Sequence, residues 1–153
     1  MSTDIEEIQM GQARDVMDRL TTAMAEKDKE TLGRCYATDA VVHTPDQGEL
    51  HGRDAITGYF FELWDAMPDV RYEHLHKYDA GDVAIDEGTV AGTNTGPLVM
   101  PSGETLQPTG QQVRIRTCDV ARVEDGEITS HHMYFDQVEF LAQLGLMGGM
   151  ALH

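Results

Sequence analysis

The chain is short of positive charge. Its 153 residues carry 11 lysines and arginines against 27 aspartates and glutamates, a formal net charge of −16. Such a surface repels nucleic-acid phosphates and anionic membranes, so neither is an expected partner. Long apolar runs are missing too, and none approaches a membrane span. The first ten residues, MSTDIEEIQM, place acids where a secretory leader needs a basic start. A cytoplasmic protein is the expectation. The two cysteines, Cys35 and Cys118, have no metal or redox spacing and read as free thiols. Gly92-Thr93-Asn94-Thr95-Gly96 follows a strand but leads into no helix, which excludes a phosphate-cradling loop of the usual kind. His43, Asp119, His131 and His132 could converge on a metal. However, adjacent strand residues point to opposite faces, and His74-Leu75-His76 is the lone histidine pair of ligand spacing on one element. No metal is expected.

What is present suffices for one domain over residues 1–153, with 41% hydrophobic residues and a core that needs no disulfide. The stretch Ser130–Gly145 organises it. Ile128, Tyr134 and Phe135 favour a strand after the Glu124-Asp125-Gly126 turn. Val138, Leu141 and Leu144 then recur at helical spacing, with Asp136 and Glu139 forming a capping box and Gly145 at the C-terminal cap. Upstream, residues 4–26 read as a helix capped by Thr3 and Glu6, with Ile5, Ile8, Val16, Leu20 and Ala23 on one face. A short helix over Lys29–Arg34 follows, then a brief strand, Ala40–Thr44, ended by the Pro45–Gly48 turn. A third helix presents Ile56, Tyr59, Phe60, Leu63 and Met67 and stops at Pro68.

From Val70 the period changes to two. Val70, Tyr72, His74, His76 and Tyr78 line one face of a strand, and the histidines read as sheet or interface residues. Strands over Val83–Thr93 and Gln112–Val123 follow, separated by residues 95–110. That segment holds Pro97, Pro101 and Pro108 and reads as a long hairpin loop or lid. Helices first, then strands joined by turns, then a last helix give an α+β fold with an antiparallel sheet; a strongly curved sheet wrapped over the N-terminal helices would enclose a pocket between them.

The last two strands carry the candidate chemistry. A three-residue loop with glycine third pairs Val123 with Glu127 and puts Asp119 opposite His131. A two-residue loop pairs Asp119 with His132 instead. Thr117, Ala121, Met133 and Phe135 share the face of Asp119, so a carboxylate and an imidazole would meet in apolar surroundings that shift pKa values. Two readings stay open: His131 as a base oriented by Asp119, or a buried pair that only fixes the sheet. His43, at a strand end, either donates to a ligand carbonyl or is a satisfied structural histidine. Tyr59, Phe60 and Trp64 supply core and pocket wall.

Ordered landmarks run through nearly the whole chain. They include Ala40-Val41-Val42-His43, His51-Gly52-Arg53-Asp54-Ala55-Ile56, Met67-Pro68-Asp69 and Gly81-Asp82-Val83. Further on come Gly92–Gly96, Pro108-Thr109-Gly110-Gln111-Gln112-Val113, Asp125-Gly126-Glu127-Ile128, Asp136 and Gln143-Leu144-Gly145. In this series the chain resembles the SnoaL-like proteins of the nuclear-transport-factor-2-like superfamily. The resemblance implies a cone-shaped α+β barrel, an open-ended pocket for a hydrophobic small molecule, and a homodimer or homotetramer built through the sheet. Its best-understood members are polyketide cyclases, which close a ring by intramolecular aldol condensation with no metal or organic cofactor. Others take part in polyketide hydroxylation. At the position of the cyclases' acid/base aspartate this chain has Met133, and a thioether accepts no proton at neutral pH. The position of their pocket histidine is Asp119 here, and His43 stands where they have an asparagine.

Together these lines give an expected enzyme without cofactor, acting on a hydrophobic, carbonyl-bearing small molecule. His131 and Asp119 are its catalytic residues, and His43, Met133, Trp64, Tyr59 and Phe135 bind the ligand. A binding protein with no chemistry is the competing expectation, and Met133 favours it.

Overall fold

A computed structural model describes residues 2–147, with side chains from residue 12 onward. The order of elements is α1 (Ser2–Glu26), α2 (Lys29–Arg34), β1 (Tyr36–Thr44), β2 (Gly48–His51) and α3 (Arg53–Ala66). Then come β3 (Arg71–Ala80), β4 (Val83–Thr93), β5 (Leu98–Val99), β6 (Thr105–Leu106), β7 (Gln112–Glu124), β8 (Glu127–Phe135) and α4 (Gln137–Gln143). Six strands form one curved mixed sheet in the order β2-β1-β8-β7-β4-β3. Its pairs are antiparallel except β1–β8, which is parallel. The concave side receives α1 through Val16, Leu20 and Ala23, and α3 through Ile56, Phe60 and Trp64, all buried. This is the α+β class the element order implied, with one parallel pair, β1–β8, where an antiparallel sheet was expected.

Half of the expected capping box on α4 is formed: Asp136 accepts from the backbone N–H groups of Val138 and Glu139 at 2.9 and 3.1 Å, whereas the Glu139 carboxylate accepts from Gln143 Nε2 at 3.3 Å. The side chains of Thr3, Glu6, Ile5 and Ile8 lie outside the described ones, as do residues 148–153. The first strand begins at Tyr36, four residues before the expected start, and the turn at Pro45 opens a further strand, β2, that periodicity missed. Residues 95–110 contain their own small hairpin, β5 paired with β6.

Two bulges decide which side chains face inward. In β3 an irregularity between His74 and His76 leaves Leu75 unpaired. The alternation flips there. Tyr72, His74, Lys77 and Asp79 share the inner face, whereas His76 and Tyr78 move to the outer one. The expected single face from Val70 to Tyr78 is therefore broken. In the β7–β8 hairpin the loop is two residues, Asp125-Gly126, both at positive φ (53° and 78°), so that Glu124 pairs with Glu127. Those dihedral signs are those of a type I′ turn, for which Asp-Gly is a preferred pair. A bulge at Thr129 then shifts the register, pairing Arg122 with Ser130 and Asp119 with Met133. Neither expected register survives; Asp119 opposes Met133, not His131 or His132.

Candidate active site

A cavity of about 150 Å³ lies between the concave face, α1, α3 and α4. Met17, Leu20 and Met24 of α1 reach it at helical spacing, Leu63 and Tyr59 come from α3, and Phe140 comes from α4. The floor is set by sheet register. Across it, Met133 of β8, Asp119 of β7 and Asp86 of β4 are consecutive neighbours. One pair further along come Phe135, Thr117 and Gly88. Asp119 thus sits mid-floor among apolar walls.

Its carboxylate is held diagonally. His131, two residues before Met133 on the same face, donates Nε2–H to Asp119 Oδ1 at 2.8 Å. The Nδ1 of that ring lies 2.8 Å from the Tyr36 hydroxyl. Burial pushes the Tyr36 phenol well above its usual pKa, so it stays protonated and donates to Nδ1, leaving the proton on Nε2 for Asp119. Tyr36 is fully buried and the His131 side chain 2% exposed, whereas Asp119 retains 19%. Both imidazole nitrogens are therefore used, and of the two side chains lining the cavity the carboxylate is the more exposed.

Asp86, directly across from Asp119, would repel it if uncompensated. It is compensated: Arg14 of α1 donates to Asp86 Oδ1 at 2.6 Å and His74 Nε2 lies 3.1 Å from Oδ2. Burial works against the Arg14 charge, but hydrogen bonds to Asp86, Asp79 and Asp18 outweigh it and raise the guanidinium pKa. Among the described residues Asp119 has no arginine or lysine partner. The two opposed acids are thus unlike: one locked in a network with Arg14, one held by the His131 ring. On the neighbouring wall Tyr59 donates to Asp46 Oδ1 at 2.9 Å, and burial, with that acid beside it, lifts the phenol pKa.

Of the other expected site residues, Met133, Phe135 and Tyr59 line the cavity. Trp64 does not; it is buried against Phe61, ring centroids 5.4 Å apart, within the core. His43 is also elsewhere. Val42 pairs with His131 and His43 with His132, so strand alternation sends His43 to the outer face. There its ring stacks on His132, centroids 4.2 Å apart, with Glu49 at 3.7 Å. No group of three His, Cys, Asp or Glu side chains arranged to hold a metal ion occurs among the described residues.

The family model described as the SnoaL-like domain matches residues 17–131, three quarters of the chain. The chain belongs to the SnoaL-like family. Its fold is shared with solved relatives. A candidate SnoaL-like polyketide cyclase from Jannaschia sp. CCS1 aligns with a TM-score of 0.79 at 13% identity, covering 89% of this chain and 93% of that one. IdmH, a candidate polyketide cyclase from Streptomyces antibioticus, aligns at 0.72 and 27% identity over 88% and 99%. AclR, a candidate hydroxylase from Streptomyces galilaeus, aligns at 0.77 and 22% over 94% and 87%. No curated protein matches the sequence.

Several residues of this SnoaL-like site escaped the sequence reading. Tyr36 precedes the strand as periodicity bounded it, and nothing local ties it to His131, 95 positions away. Asp86 and Arg14 did carry a weak signal, an acid in a largely apolar strand and one of two bases amid the acids of α1. Their pairing spans 72 positions and is a tertiary fact.

Proposed function

We propose that this SnoaL-like domain is a cofactor-independent acid/base enzyme for a hydrophobic, carbonyl-bearing small molecule, with Asp119 as the base. The observation that carries this is the Tyr36–His131–Asp119 relay ending in the cavity. Relative to the sequence expectation, the roles of acid and imidazole are exchanged. His131 has no free nitrogen, so it acts as the positioning residue. It fixes one carboxylate oxygen and leaves the other for a substrate proton. Asp119 removes a proton alpha to a carbonyl, and the C–H electron pair becomes the C=C of an enolate as the carbonyl π pair moves to oxygen. In an aldol cyclisation the enolate carbon attacks a second carbonyl of the same molecule, and the resulting alkoxide takes the proton back from Asp119. In an isomerisation the proton returns to a different carbon. Neither route requires a cofactor.

Kinship with IdmH supports the cyclase form of this chemistry, although members named as hydroxylases share the fold and fold alone does not choose a reaction. A second reading, a binding protein with no chemistry, is favoured by one observation. Met133 stands at the position where the cyclases keep their acid/base aspartate, directly opposite Asp119. Deuterium uptake at the alpha carbon of a panel of enolisable aryl ketones separates the two. The enzyme reading expects uptake by the wild type that Asp119→Asn abolishes. Absence of uptake across the panel, or equal uptake by both proteins, leaves the binding reading. We also propose that the single domain assembles as a homodimer or homotetramer through the outer face of the sheet. Tyr78 and Tyr134 are 51% and 57% exposed there. Sedimentation equilibrium of the purified protein would show a monomer if this is wrong.

A further inference from the structure

The floor of the cavity contains two hydroxyls that the acid/base relay does not use. Tyr72 and Thr117 both line the cavity, their hydroxyls are buried, and among the described residues Tyr72 Oη and Thr117 Oγ1 have no hydrogen-bond partner but each other. Such a pair leaves one buried O–H without an acceptor, which costs roughly 1–3 kcal/mol and needs a reason. Their placement is enforced by the sheet. Thr117 is two residues from Asp119 on the same face of β7, and its partner on β4 is Gly88. The Tyr72 ring crosses that glycine. A β-carbon at position 88 would come within 2.7 Å of the ring's Cζ and 2.8 Å of its hydroxyl, and would also strike the Glu73 carbonyl. Gly88 therefore lets the phenol lie flat across β4 with its hydroxyl beside Thr117. Burial raises the Tyr72 pKa, which keeps the phenol a donor at neutral pH.

We propose that Tyr72 and Thr117 form an oxygen-binding pair that receives the ligand's carbonyl oxygen and stabilises it as it becomes an enolate. The inference rests on the reading of Asp119 as the base and supplies the donor that His43, on the outer face, cannot. Base and donors are neighbours on one floor, so a carbonyl seated on the hydroxyls presents its alpha carbon toward Asp119. When Asp119 takes the proton, the charge gathers on the oxygen, where both O–H groups strengthen their hydrogen bonds. The site would accordingly prefer ligands with a single acidic or enolisable oxygen on a flat apolar body.

Substituted 2-naphthols of graded acidity, titrated by fluorescence alongside naphthalene, read the pair without any reaction. Wild-type affinity is expected to rise with naphthol acidity. Tyr72→Phe should lose about 10-fold on naphthols and flatten that dependence while leaving naphthalene binding unchanged, the scale of one lost donor to an anionic oxygen. Thr117→Val should lose a smaller factor, and Thr117→Ser, which keeps the hydroxyl, should restore it. An unchanged naphthol-to-naphthalene ratio in both Tyr72→Phe and Thr117→Val overturns the proposal, as does failure of Thr117→Ser to restore binding. Failure of the Asp119 reading shows separately, as absent deuterium uptake with the naphthol preference intact.

Discussion

His131 and His132 are adjacent in sequence and lead opposite lives. His131 faces inward, almost completely buried, with both nitrogens bonded to Tyr36 and Asp119. His132 faces outward, its ring stacked on His43 and, at 6.2 Å, on Tyr134. The inner ring is fixed by hydrogen bonds that hold a carboxylate in a cavity; the outer one is stacked between two rings and has no side-chain hydrogen bond among the described residues. What separates them is the unpaired residue at Thr129. Remove that bulge and the two-residue turn would place Ser130 and His132 on the inner face in their stead. A single backbone irregularity thus selects which imidazole meets Asp119.

The contrast can be tested at its sharpest end first. Asp119→Asn should lower alpha-proton exchange by about 10²–10⁴-fold, the usual range for a general base, with the circular-dichroism spectrum unchanged. Arg14→Met comes next. It leaves Asp86 buried with only His74 for a partner, and a loss of about 3 kcal/mol is expected in urea unfolding. A loss under about 1 kcal/mol would mean that Asp86 does not depend on Arg14 and that the two opposed acids are more alike than the network implies.

The paired histidine substitutions follow. His131→Ala strands the Tyr36 hydroxyl and opens a void, with an expected cost of about 3 kcal/mol. His132→Ala, on the outer face, should stay within about 0.5 kcal/mol. Equal costs would show that the two faces are energetically alike and would break the comparison.

The smallest effect concerns pH. Burial, then His43 and His131 nearby, lower the His132 pKa. A histidine whose folded pKa is depressed binds its proton more readily when unfolded. Its contribution to stability is therefore complete above the unfolded value of about 6.5 and is lost as pH falls below it. His132→Gln should make Tm fall less steeply between about pH 7 and 5, while the partner ring His43 and the nearby Glu49 remain in place. A slope identical to wild type would remove the strained outer pair from the account.

How far the sequence reached can be judged from the same hairpin. That Thr117, Asp119 and Ala121 share one face, and Met133 and Phe135 another with His131, was legible because alternation within a strand depends only on neighbours; that the two faces coincide followed only from the three-residue loop, one of two left open. The register was not. Asp125-Gly126 did carry the two-residue turn signal, but the compensating bulge has no local signature, since it is stabilised by what its flanks bury. His43 was misplaced for a related reason. Its position depends on how β1 aligns beside β8, a parallel contact between segments some 90 positions apart.

By itself, then, the sequence determined the longer elements, the α+β class and the Asp136 cap of α4, and its ordered landmarks carried the family resemblance. The first three rest on periodicities and short-range hydrogen bonds encoded within a few residues. The tertiary structure alone decided that both nitrogens of His131 are engaged while Asp119 is the more exposed of the two at the cavity, that Tyr36 completes the relay, and that Tyr72 lies across Gly88 beside Thr117. These depend on bulges and on pairings between distant strands, where one residue of slip reverses every side chain.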